Sequence, residues 1–477
     1  MNNDVLINVR KPSRMLSGVT IVAVMTHPLP CPGKCIYCPG GVEYGTPKSY
    51  FGEEPALRRA RRNDFHPYKQ VWNRLKQYEY LGHDVSKIEI IVMGGTFLAA
   101  PDRYKEWFIS MIFEALNRYP LEDPPFKIDL ENSQLRNETS RYRCVGLTIE
   151  TRPDWGFEKH ADEMLRYGAT RVELGVQSIY DNVLYRVNRG HGVREVVEST
   201  RILKDAGFKI VYHIMPGLPG SDPDRDIEMV KELFENPDFR PDMLKIYPTE
   251  VVEGTVLYDL WRKGLYKPYS DEEAVEVISE MYRYIPKYVR VMRIRRDIPA
   301  HEVIAGTRFS NLRELVEKRC IEKNILINEI RFREVGLQYW KHGRKPVKLE
   351  LTRLTYEASN GIEEFLAVED IVNNIIVGFL RMRIPSNRAH RPEVDSRTAI
   401  IRELHVYGPE IPVGKTGFSW QHQGWGSRLL REAERLAREE YSARKIIVLS
   451  GVGAREYYRK HGYYRPFNSP YMHKDLH

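Results

Sequence analysis

Seven short runs rich in β-branched residues, at 19–24, 88–93, 145–149, 171–175, 209–214, 243–247 and 289–294, punctuate the N-terminal part of the chain. Between them lie longer stretches with apolar residues at helical spacing, clearest over 68–81, 104–117, 194–206 and 224–234. Strand-length runs alternating with amphipathic helices predict parallel strands joined by helical crossovers, and their number fits a full or partial TIM-like α/β barrel. In such a barrel the loops that follow the strands gather at one mouth.

The alternation stops near Ala305. Residues 301–346 are dominated by charge, with 312–319 reading as a solvated helix and 340–346 as a linker. Apolar runs return at 347–354, 375–384 and 399–406, which read as antiparallel strands, before a long helix from Gly424 to Glu439 and a further strand over 445–449. The expected organisation is a barrel over 1–300, a linker over 301–346 and an α+β domain over 347–477.

Composition narrows this picture. A chain of 477 residues with 42% hydrophobic and 29% charged content is ordinary for a multi-domain globular protein. No apolar stretch reaches the length of a membrane span, and Met1-Asn-Asn-Asp-Val-Leu lacks the order of a signal peptide, so a cytosolic protein is expected. Five cysteines do not make a disulfide framework at this length. The excess of 73 Lys and Arg over 65 Asp and Glu gives a net charge of +8, which favours a polyanionic partner; the same charges also suit ion-pair networks.

Three of the cysteines lie together in the loop after the first strand, as Cys31-Pro-Gly-Lys-Cys35-Ile-Tyr-Cys38. Three thiolates hold a 4Fe-4S cluster with one iron free to chelate S-adenosylmethionine, whose reductive cleavage yields a deoxyadenosyl radical. The alternative is structural zinc completed by His27, although such sites draw their ligands as two separated pairs. Gly94-Gly95 after the second strand would let the backbone approach the methionyl ammonium, and Glu150 and Gln177, after the third and fourth, could hold ribose hydroxyls. Each alone is an ordinary loop residue; their recurrence after successive strands is the signal.

In the C-terminal domain Gln421-His-Gln-Gly424-Trp425-Gly426 opens the long helix, leaving backbone N–H groups uncovered at its positive end, an arrangement suited to pyrophosphate. With Glu403-Leu404-His405-Val406 before it and Tyr457-Tyr458-Arg-Lys-His-Gly462 after it, this order resembles the GNAT acetyltransferase fold. That resemblance implies acetyl-CoA bound along Glu403 to Val406, Gln421, Gly424, Trp425 and Gly426, with Tyr457 facing the thioester as a catalytic residue.

A radical S-adenosylmethionine barrel fused ahead of a GNAT domain, with Ile91-Val-Met-Gly-Gly-Thr-Phe97, Thr148-Ile-Glu-Thr-Arg-Pro-Asp154, Asn188-Arg-Gly-His191, Arg333-Glu-Val-Gly336 and Arg402-Glu-Leu-His-Val-Tyr-Gly408, resembles the Elongator protein three family of tRNA uridine(34) acetyltransferases, its archaeal members in particular. The resemblance implies that the radical takes hydrogen from the acetyl methyl of acetyl-CoA, that the new radical adds to carbon five of the wobble uridine, and that thioester hydrolysis leaves a carboxymethyl group. It further implies that Lys87 contacts acetyl-CoA, that Lys245 is a catalytic-site lysine, and that the protein works as a monomer or homodimer on the tRNA anticodon loop, without accessory subunits if archaeal.

Two departures qualify the match. Relatives carry a basic N-terminal extension that helps hold tRNA, whereas ten residues precede Lys11 here, so either the sequence is trimmed or binding relies on the body of the protein. Many also bind zinc just before Arg333-Glu-Val, where this chain reads Ile325-Leu-Ile-Asn-Glu-Ile with no cysteine.

For tRNA the sequence offers Arg58, Arg59 and Arg62 with Arg61, then Arg293, Arg295 and Arg296 with Arg290, and the basic residues of 341–348. Each group alone reads as a solvated face; together they suggest a phosphate track beside a mouth that admits a flipped base. The rivals are a protein lysine acetyltransferase with a structural iron-sulfur domain, for which Gly94-Gly95 is superfluous, and a tRNA-binding scaffold, for which the Gln421-Gly424-Gly426 pattern is.

Overall fold

The computed structural model describes residues 18–83, 85–407 and 424–477. Strands β1 (Thr20–Met25), β2 (Lys87–Met93), β3 (Arg143–Thr151), β4 (Arg171–Gln177), β5 (Lys209–Ile214), β6 (Met243–Ile246) and β7 (Arg290–Ile294) pair in chain order, all parallel. Among the described residues β1 and β7 are the two edges of this sheet, so the barrel is partial.

Period-two alternation explains how one sheet carries both a core and a polar lumen. On β4, Val172, Leu174 and Val176 are wholly buried in the hydrophobic core. The intervening Arg171, Glu173, Gly175 and Gln177 therefore share the other face. Crossover helices start at local caps: Asp222 accepts from the Arg225 N–H at 2.9 Å, and Ser270 accepts from the Glu273 N–H at 3.1 Å.

The second sheet contains β8 (Glu350–Ala358), β9 (Gly361–Asp370), β10 (Ile375–Ile384), β11 (Thr398–Val406), β12 (Lys445–Val448) and β13 (Met472–Asp475), in the order β13-β12-β11-β10-β9-β8. Within this sheet only the β11/β12 pair is parallel among the described residues, and the helix Trp425–Glu439 lies between these two in sequence. The sequence reading omitted β9 because Glu363 and Glu364 break its apolar run; both are buried in ion pairs, Glu363 with Arg383 and Arg402.

Residues 301–346, expected as a linker, hold the helices Leu312–Glu322, Ile330–Arg333 and Val335–His342. Leu312, Val316 and Cys320 stand four residues apart on one helical face and are buried, and Ile325, Ile327, Ile330 and Val335 join them in a core that extends into both sheets. The charges are on the surface of a packed segment rather than on a tether.

The C-terminal sheet docks on the N-terminal ends of the barrel strands. Arg402 donates to Phe208 O, just before β5, at 2.8 Å, and Arg290 at the start of β7 donates to Tyr407 Oη at 2.7 Å. A Cβ at Gly451 would lie 2.1 Å from Val145 O, so the loop after β12 meets the start of β3 backbone to backbone.

Candidate functional site

At the opposite end, where the parallel strands terminate, their loops surround a cavity. Cys31, Cys35 and Cys38 line it together with Gly95, Glu150, Gln177 and Lys245, so residues from five of the parallel strands or the loops after them converge. The three thiols are free and half-buried. Cys31 Sγ accepts from the Gly33 N–H at 3.4 Å, and Cys35 Sγ accepts from Arg189 Nη1 at 3.3 Å.

The donor chemistry fits an iron-sulfur cluster. Burial pushes the Cys38 thiol up to about 11, with Cys35 nearby adding to the effect, and such a group becomes a thiolate only against strong positive charge such as iron. Arg189 is buried, and among the described residues it is paired with no carboxylate: it donates to Cys35 Sγ and Gly175 O. A buried guanidinium facing three sulfurs suits an anionic group there. His27, the candidate fourth zinc ligand, is exposed, turns Nδ1 toward Pro28 O at 3.2 Å and does not line the cavity.

Two further positions carry the marks of a ligand wall. A Cβ on Gly94 (φ +140°) would lie 1.9 Å from Thr26 Oγ1, and one on Gly95 (φ +70°) would lie 3.5 Å from Lys48 O and 4.0 Å from Cys31 Sγ. Gln177 adopts a left-handed φ of 71° beyond an irregularity in the β4/β5 register, and its Oε1 is buried without a partner. Strain and an orphaned acceptor in one residue point to a ligand contact. Glu150 Oε2 accepts from Tyr50 O–H at 2.7 Å.

Deeper in the cavity, Lys245 pairs with Glu173 and lies 3.5 Å from Glu150, while His213 Nε2 is 2.8 Å from Glu173 Oε2. Ligand atoms of Glu150, Glu173 and His213 fall within 4.8 Å of one another, but the Lys245 ammonium is already the cation among these carboxylates. Burial alone would lower the Lys245 pKa; the Glu173 carboxylate holds it above its ordinary value. Burial alone would raise Glu173, and Lys245 and His213 hold it well below the carboxylate range. Lys245 is therefore a fixed positive charge. The sequence reading gave no role to Glu173, His213, Tyr50 or Arg189; the first two interrupt apolar strands at alternate positions, which is the signal available for them.

The second constellation forms where β11 and β12 part. Their pairing ends at Ile401 and Val448, and β11 continues to Val406, opening a wedge along Glu403, Leu404, His405 and Val406. Gly424 is the left-handed N-cap (φ 74°) of the helix Trp425–Glu439. A Cβ on Gly426 would lie 2.7 Å from Tyr457 Oη and 3.8 Å from Val406 Cγ2, so helix start, tyrosine and strand meet at one glycine. Glu403 is held by Arg381 at 2.8 Å, and burial brings the His405 pKa down to about 4 beside Tyr407. Leu404 and Trp425 pack partly buried against the core. Gln421 lies outside the described residues. Lys87, the first residue of β2, pairs in register with Arg143, whose Cβ approaches Gly453, so it belongs to the barrel end on which the C-terminal sheet docks.

The expected basic track divides. Arg58, Arg61 and Arg62 are exposed and Arg59 half-buried on or beside the helix Pro55–Arg61, with Arg58 paired to Glu53 at 3.1 Å. Arg295 is a correction: it is buried, bound to Glu250 at 2.8 Å and to Thr307 O at 3.1 Å, so its donors are committed to the fold. Arg296 is likewise committed, to Ser49 O and Glu54, and Arg290 to Tyr407 and Glu334. Arg293 is partly exposed and paired with Asp297.

Comparison with known proteins agrees with this architecture. Residues 26–233 match the radical SAM superfamily, 241–322 the radical SAM C-terminal domain, and 332–463 the acetyltransferase (GNAT) family. The chain is 49% identical to the tRNA uridine(34) acetyltransferase of Methanocaldococcus infernus, over 98% of its own length and 87% of the relative's. It is 45% identical to human Elongator complex protein 3, over 98% and 86%. The solved structure of the archaeal Methanocaldococcus infernus Elp3 with its N-terminus deleted (1–46) superposes with a TM-score of 0.85 at 46% identity, covering 96% of this chain and 100% of that one.

Proposed function

The chain belongs to the Elongator complex protein 3 family, whose archaeal members are named tRNA uridine(34) acetyltransferases, and from that membership we propose that it carries out wobble-uridine modification of tRNA with acetyl-CoA as acyl donor. The observation that carries this reading is the pairing, in one chain, of a three-cysteine cavity at the strand ends with a glycine-opened wedge in the C-terminal sheet. When bound, the 4Fe-4S cluster supplies the electron that cleaves S-adenosylmethionine and so starts radical chemistry at the acetyl methyl group.

The protein's own contribution is placement and charge. Cys31, Cys35 and Cys38 hold the cluster, and Arg189 offsets its negative charge. Gly95 offers a backbone carbonyl to the methionyl ammonium, while Gln177 Oε1 and the Glu150 carboxylate accept from ribose hydroxyls. Lys245 stands as a fixed ammonium in the same wall. In the wedge, the Gly424 and Gly426 helix start receives the pyrophosphate, Lys87 contacts acetyl-CoA, and Tyr457 gives its phenolic proton to the departing thiolate. The barrel mouth admits the flipped wobble base, and Arg58, Arg59 and Arg62 supply phosphate contacts.

The test is mass spectrometry of tRNA nucleosides after anaerobic reconstitution with iron, sulfide, S-adenosylmethionine, dithionite and acetyl-CoA. Carboxymethyl-uridine at the wobble position is expected. Unmodified tRNA alongside acetyl-lysine on an added basic peptide would replace this reading with protein acetylation.

A further inference from the structure

Tyr457 does not stand alone in the wedge. Its hydroxyl overhangs Gly426, and the next residue along the helix, Ser427, places Oγ 2.8 Å from His461 Nε2. His461 in turn sets Nδ1 2.8 Å from the carbonyl oxygen of Tyr457, and its ring lies against the phenol with centroids 4.5 Å apart. This geometry fixes the imidazole tautomer. A carbonyl oxygen can only accept, so the neutral ring carries its proton on Nδ1, and Nε2 must accept the Ser427 O–H. The Ser427 oxygen then presents lone pairs to the phenol. Burial holds the Tyr457 phenol above its usual pKa, and a hydrogen bond with Ser427 acts against that rise.

We propose that Ser427 and His461 are positioning residues for Tyr457: they hold its hydroxyl over the helix start before the thioester breaks and steady the phenolate afterwards. The inference rests on the reading of Tyr457 as the group facing the thioester. In the resting arrangement Tyr457 O–H donates to Ser427 Oγ, and Ser427 donates to His461. When water adds to the acyl carbon and the C–S bond breaks, the electron pair goes to sulfur and the phenolic proton follows it. The Ser427 hydroxyl then turns from His461 Nε2 to the phenolate oxygen. Solvent returns the proton to the phenol and takes the one released by the attacking water, so the sum is thioester plus water giving acid plus thiol, with no oxidant or reductant needed.

Such an orienting hydroxyl acts through Tyr457, so its removal should change turnover rather than binding. The experiment follows CoA release from acetyl-CoA by chromatography, using the reconstituted full chain with tRNA, for Tyr457→Phe, Ser427→Ala, Ser427→Thr, His461→Asn and the double variant Tyr457→Phe/Ser427→Ala. The expected results for Ser427→Ala are about a tenfold lower kcat, an acetyl-CoA KM within about twofold of the parent, and an unchanged melting temperature. Ser427→Thr keeps the hydroxyl and should restore most of the rate, His461→Asn should fall between, and the double variant should be no slower than Tyr457→Phe alone. Full activity in Tyr457→Phe would sink the reading of Tyr457 itself. A Tyr457→Phe that is slow beside a Ser427→Ala that is unimpaired, or a Ser427→Ala whose loss is entirely in KM, would overturn the positioning pair while leaving Tyr457 in place.

Discussion

Asp242, at the foot of β6, receives two hydrogen bonds from the Arg402 guanidinium of β11, at 2.7 and 2.6 Å, and both side chains are wholly buried. Glu363 accepts from the same guanidinium at 2.8 Å, and the Lys204 ammonium lies 3.8 Å from Asp242. Removing one partner strands buried charge, so Arg402→Ala should cost about 3–5 kcal/mol in a denaturant titration. Burial alone would raise the Asp242 pKa, but Arg402 and Lys204 hold it well below the ordinary value. A carboxyl with a depressed folded pKa contributes stability that is present above the unfolded pKa and lost as pH falls below about 4. Melting curves should therefore show the parent losing stability on acidification and Arg402→Ala losing less.

Cys38→Ala should abolish cluster loading, because it leaves two irons without a protein ligand. Anaerobic reconstitution followed by iron and sulfide analysis should give about four irons per parent chain and close to none for the variant. A Cys38→Ala protein that cleaves S-adenosylmethionine at the parent rate would remove the triad from the site.

The two glycines after β2 should respond unequally. Ala at Gly94 meets Thr26 Oγ1 at 1.9 Å as well as an unfavourable φ, whereas Ala at Gly95 meets Lys48 O at 3.5 Å and pays only in backbone conformation. Gly95→Ala should lower stability by about 1 kcal/mol and Gly94→Ala by clearly more. Equal losses in urea titrations would mean that Thr26 yields.

Binding of tRNA should weaken steeply with salt, and reversing Arg58, Arg59 and Arg62 together should flatten that dependence. Arg295→Ala should leave the slope alone and lower the melting temperature instead, since Arg295 is spent on Glu250 and Thr307. Filter-binding isotherms at several salt concentrations separate the two arginine classes.

Gly426→Ala should push Tyr457 aside and cut carboxymethyl-uridine formation, while the slow release of deoxyadenosine driven by dithionite continues, because neither Gly426 nor Tyr457 lines the cysteine cavity. Tyr457→Ala should separate the two activities in the same way. Parallel loss of both would make Tyr457 a packing residue.

The parallel strands were legible because each sets a short run with β-branched and other apolar residues between helix-length amphipathic stretches. All seven appear within a few residues of their expected bounds. What escaped was charge inside the fold. Glu363 hid β9 by pairing with Arg383 and Arg402, partners far along the chain, and Arg295 reads in sequence just as Arg58 does although one is buried and the other exposed. The cysteine loop and Gly94-Gly95 could be placed because their spacing is local. Glu173, His213 and Lys245 form a site only when β4, β5 and β6 lie side by side. Sequence periodicity says which face of a strand a residue occupies, not which charge will face it.

The apolar core that passes without a break from the barrel, through residues 312–335, into the second sheet has a consequence for cooperativity. Two catalytic modules joined by a tether melt separately, and each can be lost without the other. Here a cut at residue 346 would divide one folding unit and expose apolar faces on both fragments. A single calorimetric transition is the corresponding signature, and a lesion near the cysteine cavity or near Gly426 and Tyr457 draws on one common reserve of stability.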